Sequence, residues 1–424
     1  MSAFQDVTEG GVRVLCGHQA TEDLRALLKR MGSLPAWRPF DPRAIEFVSR
    51  FSQLLLTSPQ IRTFPELAAL GHWFRAARLR TLAKSIPSDP TRIRVGRGLA
   101  FHIAPSNVDS VFMYSWLLAL LCGNPNIVRV SQKGGAQQDF LIGILHSMSS
   151  EERFDEVRTR FCLLTYPHDV HITQAISATC MVRVVWGGDA TVEAIRRIPL
   201  RPTATELCFS DRFSLAALHA GAVRTCEAET MTTLVRHFFN DVFWFSQQAC
   251  SSPRVIAWIG EEIEVGEAAA RFWAAVEMEV DSRQPENSPA MLMSRLGAAF
   301  EFAAENAAGG NASHFSNHPL LLNAASVDLG RTRELHCGNG LFLESRFDTL
   351  CDLGRTLTDK EQTLAVFGFK PEDLFTLIDE LLPRAIDRIV PVGDALAFDH
   401  IWDGQDFFVS FTREIVVSGA SQTI

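Results

Sequence analysis

The chain has 424 residues, too many for one compact core, so two or three subdomains are expected. With 47% hydrophobic and 21% charged residues and no low-complexity tract or charge block, a largely disordered chain is excluded. A net charge of −9 argues against a nucleic-acid partner, whose phosphates reward a basic face.

In chain order, residues 1–90 read as helical. EDLRALLKRM, AIEFVSRFSQLLL and ELAALGHWFRAARLRTLAKS repeat apolar residues at three- and four-residue spacing. Pro42 and Pro65 stand near the starts of the second and third, where proline suits a first turn. From about residue 92 strands alternate with helices. RIRVGRGLAFHIAP reads as strands, and DSVFMYSWLLALLCG as a helix ending at Gly123. NIVRVS, RFCLLTY and MVRVVWGG are short buried strands, with GAQQDFLIGILHSMSS, DVHITQAISATC and DATVEAIRRI as the helices that follow them. Such βα units imply a parallel sheet with crossover helices, which binds ligands beyond the carboxyl ends of its strands. After Cys250 come a strand (VIAWIG), helices GEAAARFWAAVEMEV, MLMSRLGAAFEFAAEN and PEDLFTLIDELLPRA, and a closing segment of short strands around the polar turn WDGQD. No internal repeat is apparent.

No cationic start, apolar stretch and cleavage site mark a signal peptide. The longest apolar run, VFMYSWLLALLC, has 12 residues and as a helix would cover about 18 Å, short of a bilayer core of about 30 Å. A soluble, cytoplasmic protein without a membrane partner is expected. The nine cysteines are scattered singly with no CxxC pair, so neither a zinc or other metal motif nor a disulfide framework is expected.

Four features carry chemistry. The first is Cys250 in SQQACSSP, polar on both sides between two segments that look buried. A reactive thiolate needs partial exposure and nearby stabilisation, which this window offers; an idle loop cysteine is the plain alternative. The second is Asn107 in HIAPSNVDS, after a strand and before a helix. Its amide could meet charge developing on an oxygen, or it could serve as an N-cap, which taken alone is the better reading. The third is Arg129 near the end of NIVRVS, a cation suited to a nucleotide's ribose or phosphate, or merely solvated. The fourth is Gly187 and Gly188 between a strand and a helix, open to a pyrophosphate or forming only a tight turn.

Their order is more specific than any one of them. Asn107, then Gly123-Asn124 with Arg129 six beyond the glycine, then strand–Gly187-Gly188–helix, then Cys250 resembles the running order of the aldehyde dehydrogenase superfamily. Within it the chain is most similar to the acyl-CoA reductase family, the LuxC-type long-chain fatty acyl reductases of bacterial bioluminescence. The resemblance runs from roughly residue 90 to the C-terminus. It rests on HIAPSNV, LLCGNPNIVRVS, VVWGGDATVEAIR, QQACSSPR and RIVPVGDALAFDHIWDGQDF.

The resemblance implies an α/β, aldehyde-dehydrogenase-like fold. It would comprise an N-terminal helical region (1–90), a doubly wound parallel-sheet NADP-binding domain (91–240), an α/β catalytic domain (241–388) and a C-terminal strand ribbon (389–424) of bridging or oligomerising type. It implies reduction of a fatty acyl thioester, on CoA or a carrier protein, to the aldehyde through an acyl-Cys250 intermediate. Asn107 would hold the oxyanion together with the Cys250 backbone N–H, and Arg129, Ser131, Gly187 and Gly188 would bind the cofactor. An arginine where dehydrogenases usually have lysine favours NADPH, with NADH left open. A homo-oligomer and an acyl-protein synthetase as acyl donor are the implied partners. Glu206 in TATELCF falls roughly where dehydrogenases keep a water-activating glutamate, but Cys208 and Phe209 replace the glycines that normally follow. Asp403 and Gly404 match a family signature, best read as a turn. His237, His314, His318 and His400 are general-base candidates that nothing singles out. The competing readings are an oxidative NAD(P)-dependent aldehyde dehydrogenase, which needs a competent Glu206, and an acyl-carrying scaffold without redox activity.

Overall fold

The computed structural model describes residues 11–17, 23–86, 89–105, 109–305, 312–314, 320–323, 329–383 and 385–418. The chain packs as two units, Met1–Ser210 with Phe398–Ile424, and Asp211–Ala397.

The first unit opens with β1 (Arg13–Gly17), α1 (Leu24–Ser33), α2 (Pro42–Thr57), α3 (Pro65–Trp73) and α4 (Ala76–Ser85). Asp23 and Asp41 cap α1 and α2, accepting from the Ala26 and Arg43 N–H groups at 2.6 and 3.0 Å, and Pro42 takes the first helical position. α2 turns Phe47, Val48, Phe51 and Leu55 inward along one stripe. β1 corrects the all-helical expectation for residues 1–90: it pairs antiparallel with residues 162–165, a long-range partner that five residues of local pattern do not announce.

The chain continues through β2 (Arg92–Gly96), β3 (Ala100–Ile103), α5 (Asp109–Leu121), β4 (Asn126–Arg129), α6 (Ala136–Met148) and the single turn α7 (Asp155–Arg158). Then follow β5 (Phe161–Thr165), α8 (Val170–Thr179), β6 (Val182–Trp186), α9 (Asp189–Arg196) and β7 (Thr205–Phe209). The strand order is β1-β5-β4-β3-β6-β7, parallel except at β1. From central β3 the chain winds outward through β4 and β5, returns beside β3 as β6, and winds the other way to β7. The sheet is therefore doubly wound, with its switch point at the carboxyl ends of β3 and β6. β3, β5 and β6 are buried along their whole length, as strands with helices on both faces must be. The 12-residue apolar run is the core of α5, whose Met113, Trp116 and Leu117–Leu121 are wholly buried. Among the described residues no helix is long and apolar enough to cross a membrane. Gly123 follows α5 at φ +90°, and a Cβ there would stand 2.2 Å from the Trp37 carbonyl oxygen, so this position demands glycine.

The second unit runs β8 (Phe213–His219), α10 (Ala220–Thr225), α11 (Ala228–Phe243), β9 (Pro253–Ile259), α12 (Glu262–Arg283), α13 (Pro289–Glu305), β10 (Ala312–His314) and β11 (Leu320–Asn323). It continues with α14 (Leu329–Leu335), β12 (Leu341–Phe347), α15 (Leu350–Gly354), β13 (Glu361–Phe367), α16 (Pro371–Glu380) and β14 (Arg388–Pro391). The order β10-β11-β12-β9-β8-β13-β14 is parallel except at β10. One apolar core, with Phe238, Phe272 and Trp273, lies on one face of this sheet; another, with Leu353, Leu364 and Leu377, lies on the other. This moves two boundaries. The sequence grouped residues 211–240 with the cofactor domain, but β8 pairs with β9 and β13 in the second sheet. It likewise placed 389–397 in the tail, where β14 forms that sheet's edge.

The tail then returns to the first unit as β15 (Ile401–Trp402), β16 (Gln405–Asp406), α17 (Phe407–Phe411) and β17 (Thr412–Val416). Asp403 at φ 49° and Gly404 at φ +68° make the two-residue turn between β15 and β16, so the Trp-Asp-Gly signature is a hairpin turn. α17 buries Phe407, Phe408 and Phe411 in the core around α5. β17 pairs antiparallel with β2, from Thr412 opposite Gly96 to Val416 opposite Arg92.

Candidate functional site

Cys250 lies at the amino-terminal entrance of β9, half-buried, in the turn from Ala249 to Ser252. That turn is closed by the Ser252 N–H donating to the Ala249 carbonyl at 3.1 Å. Helix α11 is stopped just before it by Ser246 and Gln247, both in the left-handed region at φ 49° and 60°. The carbonyl of Cys250 accepts from the Ser214 hydroxyl on β8 at 2.7 Å, and that hydroxyl in turn accepts from the Thr363 N–H on β13 at 3.2 Å. The Ser252 hydroxyl donates to the Asp241 carbonyl at 2.7 Å. The polar residues of the collar are thus fasteners that hold the cysteine's backbone in place.

A second loop, His336–Gly340 entering β12, closes on the same turn. Gln247, fully buried, donates from Nε2 to the Pro253 carbonyl at 2.9 Å and accepts from the Gly340 N–H at 3.0 Å. Gln248 donates to the Cys337 carbonyl at 2.9 Å, and the Asn339 N–H donates to the Ser246 carbonyl at 2.8 Å. Gly338, at φ +71°, lies so close that a Cβ would meet Gln248 Nε2 at 2.5 Å. His336 is fully spent on this loop. Its Nε2 donates to the Leu341 carbonyl at 2.9 Å, and its Nδ1 accepts from the Gly338 N–H at 3.0 Å. Burial, reinforced by the Arg254 charge, pushes its pKa down to about 3, so the ring is neutral. Arg254 projects from β9 over the Phe213 ring, 5.6 Å from its centroid. Burial pulls this guanidinium below its ordinary pKa, and Cys250, Cys337 and Asp211 oppose that pull. Burial raises the Cys337 thiol, against Ser294, Arg295 and Arg254.

The cofactor candidates belong to the first unit. Arg129 ends β4 and is neither free nor simply solvated: its guanidinium stacks on Tyr166 at 4.8 Å and donates to the Tyr166 carbonyl at 3.3 Å. Its Nε is buried without a partner among the described residues. Ser131 accepts from the Lys133 N–H at 3.2 Å in the turn beyond β4. Gly187 and Gly188 follow β6, with the Gly187 N–H donating to the Phe209 carbonyl at 3.1 Å and Gly188 at the N-cap of α9. These four residues stand at the carboxyl ends of β4 and β6, the ligand-binding edge of a doubly wound sheet, and the orphaned guanidinium nitrogen fits an acceptor-rich nucleotide there. Asn107 lies outside the described residues, in the connection after β3. Cys250 contrasts with them, since its turn is at the amino-terminal edge of the second sheet, where the loops entering β9 and β12 meet.

Glu206 is committed elsewhere. On β7 it faces Arg183 of β6 across the ladder in a 2.6 Å ion pair, and Arg196 approaches its other oxygen at 3.3 Å. Arg183 is almost wholly buried, so the pair is structural. Below the sheet a polar chain runs from Trp186 through Ser115 and His102 to Asn126, in steps of 3.3, 3.2 and 3.1 Å. Among the candidate histidines, His237 packs against Gly393, and His400 pairs with Asp399 at 2.7 Å and stacks on Phe408 at 4.7 Å. His314 is on β10, and His318 lies outside the described residues. Sequence reading missed Ser214, Gln247, Arg254 and the 336–340 loop. The run His-Cys-Gly-Asn-Gly, dense in residues suited to positive φ, was the available signal for the last.

The profile of the acyl-CoA reductase (LuxC) family matches residues 79–294, just over half of the chain. The chain belongs to the acyl-CoA reductase (LuxC) family. Its fold is that of the aldehyde dehydrogenases. Methylmalonate-semialdehyde dehydrogenase from Oceanimonas doudoroffii superposes with a TM-score of 0.66 at 13% identity, over 93% of this chain and 89% of that one. Aldehyde dehydrogenase 21 from Physcomitrella patens gives 0.65 at 12% identity over 94% and 91%. An NAD-dependent benzaldehyde dehydrogenase from Corynebacterium glutamicum gives 0.62 at 11% identity over 96% and 95%. No curated protein sequence matches the chain. Membership in the reductase family, on this fold, makes the protein an aldehyde-related oxidoreductase of acyl substrates with a nicotinamide cofactor.

Proposed function

We propose that the protein reduces a fatty acyl thioester to the aldehyde with NADPH, and that Cys250 carries the acyl group. The Cys250 thiolate attacks the thioester carbonyl, and the carrier thiol leaves and takes up a proton, so that one thioester is exchanged for another on the enzyme. Bound reduced nicotinamide supplies the hydride that this acyl group needs. Cys250 then serves as leaving group: the carbon–sulfur bond breaks, the aldehyde departs and the thiolate is restored. Asn107 and the backbone N–H of Cys250 are assigned to the oxyanion of both tetrahedral steps. A backbone fixed on its carbonyl side by Ser214 suits that task, because a donor already in place costs no reorganisation.

The observation that carries the proposal is the two-loop clamp on a half-buried cysteine, with a polar group fastened on either side of it. The ion pair that occupies Glu206 counts against an oxidative enzyme that hydrolyses its acyl intermediate. Arg129, Ser131, Gly187 and Gly188 are assigned to the cofactor. The unpaired Arg129 Nε supports a 2′-phosphate contact and hence NADPH, with NADH the alternative. The acyl donor is CoA or a carrier protein charged by an acyl-protein synthetase, and the two-stranded β2–β17 ribbon offers open edges to a second copy of the chain.

The test is mass spectrometry of the intact protein after incubation with acyl-CoAs of several chain lengths, with and without NADPH. One acyl group mapped to Cys250, absent in Cys250→Ala and discharged as aldehyde by NADPH, is expected. Full reductase activity in Cys250→Ala would overturn the proposal. Arg129→Ala should weaken NADPH more than NADH; equal weakening removes the case for the 2′-phosphate.

A further inference from the structure

We propose that helix α4 is the docking face for an acidic protein, a carrier that presents a helix of carboxylates and brings the acyl group as its thioester. This rests on the reading of the substrate as an acyl thioester and adds which surface receives its carrier.

The chain as a whole carries a net charge of −9, yet residues 58–86 hold five cations, Arg62, Arg75, Arg78, Arg80 and Lys84, against a single carboxylate. That carboxylate, Glu66, is buried at the start of α3 and accepts from the Gln137 amide, so it neutralises none of them. All five cations are exposed, and among the described residues none has an ion pair or a side-chain hydrogen bond. The arginines of neighbouring α2 differ: Arg43 pairs with Asp41 at 2.8 Å and Arg50 with Glu151 at 3.0 Å. α4 turns Leu79 and Leu82 into the core of the first unit, with Ala83 packed against it. The helical period then stacks Arg80 and Lys84 one turn apart on the outward face and sets Arg78 on its flank. From Arg75 to Lys84 the cations extend over about 14 Å of helix axis. That row matches carboxylates repeated at three- and four-residue spacing on a partner helix, and guanidinium groups grip carboxylates in a bidentate fork. It is longer than the phosphates of one CoA molecule would use, whereas a carrier's helix engages all of it. The other exposed residues of α4 are Ala77, Thr81 and Ser85, and its leucines are spent on the core, so it has no large apolar side chain to sink into a bilayer. Because acids outnumber bases over the rest of the chain, an acidic partner is repelled elsewhere and drawn to this face, which fixes where it docks.

The experiment titrates the full-length protein into a fluorescently labelled, acidic acyl carrier protein whose prosthetic thiol is blocked, and reads anisotropy. It compares wild type, the triple variant Arg78→Gln, Arg80→Gln, Lys84→Gln, and the charge-keeping pair Arg78→Lys, Arg80→Lys. Wild type should bind, and more weakly as salt rises from about 50 to about 200 mM. Each exposed pair is worth up to about fivefold, so the triple variant should bind about tenfold more weakly, and the charge-keeping pair should stay within about threefold of wild type. With NADPH, the triple variant should show a KM raised about tenfold for the acyl-carrier thioester and unchanged for acyl-CoA of the same chain length. No binding of the carrier by wild type overturns the proposal, as does wild-type affinity in the triple variant or an equal loss on both substrates. So does a triple variant that keeps the carrier but loses binding to anionic phosphatidylglycerol vesicles, which would make α4 a lipid-facing helix instead. The functional reading fails separately: carrier binding with the expected charge dependence, but no aldehyde and no acyl adduct on Cys250, refutes thioester reduction and leaves the docking face standing.

Discussion

Gln247 is where the clamp on the cysteine turn can be broken most cleanly. Its side chain has no solvent exposure and joins two backbone groups, the Pro253 carbonyl at 2.9 Å and the Gly340 N–H at 3.0 Å. Gln247→Ala strands the buried Gly340 N–H and removes the bond to the Pro253 carbonyl. A stranded group costs about 1–3 kcal/mol and a lost bond about 0.5–1.5 kcal/mol, so the two loops lose about 1.5–4.5 kcal/mol of mutual stabilisation, before any cavity term. The neighbouring Gln248 makes a similar bond to the Cys337 carbonyl at 2.9 Å but is exposed, so water replaces it and Gln248→Ala should cost under about 1 kcal/mol. Hydrogen exchange at the Gly340 amide reads the difference locally. Because 1.4 kcal/mol is about a factor of ten, exchange should accelerate by about tenfold or more in Gln247→Ala and by only a few-fold in Gln248→Ala. If Gly340 exchanges at the wild-type rate in Gln247→Ala, or if the two variants behave alike, the clamp is not held by this amide.

Two other predictions are independent of the clamp. Glu206→Gln leaves Arg183 buried without its carboxylate and should destabilise the first unit by about 3 kcal/mol, while specific activity per folded molecule is kept; lost turnover with unchanged thermal stability would restore Glu206 as a catalytic base. His102, fully buried between Ser115 and Asn126, is pushed down to about 4 by desolvation, so the unfolded chain binds its proton first as pH falls. Its contribution is intact above about 6.5 and is lost between there and about 4, up to about 3 kcal/mol. Asp241, pushed up to about 7 by burial, has the opposite sign and favours the fold as pH drops below 7. Urea midpoints at pH 7 and 5 should therefore fall less in His102→Gln than in wild type and more in Asp241→Asn. Equal slopes in all three would show that neither group sets the pH response.

The parts legible in the sequence were those with local patterns. The αβ alternation of the first unit, α5 as a helix closed by Gly123 and the Asp403-Gly404 turn all follow from periodicity or turn chemistry within about a dozen residues. What escaped depends on partners far along the chain. β1 exists because residues 162–165 pair with it, and β8 joins the second unit because β13 lies beside it. The glutamines before Cys250 looked like a polar collar. Their role became visible only with Gly338 and Gly340, some ninety residues on, folded against them. Glu206 was doubted because its following glycines are missing, and Arg183 opposite it gives the physical reason.

The first unit is interrupted in sequence, and this bears on how the protein is made. β2 must wait for β17, and the core around α5 must wait for Phe407, Phe408 and Phe411, all of which emerge from the ribosome after the 187 residues of the second unit. At about 5–20 residues per second that interval is on the order of 10–40 s. Throughout it the face of α5 that receives α17 has no cover from its own chain, whereas the second unit, continuous from Asp211 to Ala397, has every strand it needs as soon as it is synthesised. A truncation that spares the whole Cys250 turn but removes the last 27 residues would therefore damage the unit synthesised first, and leave intact the one synthesised second.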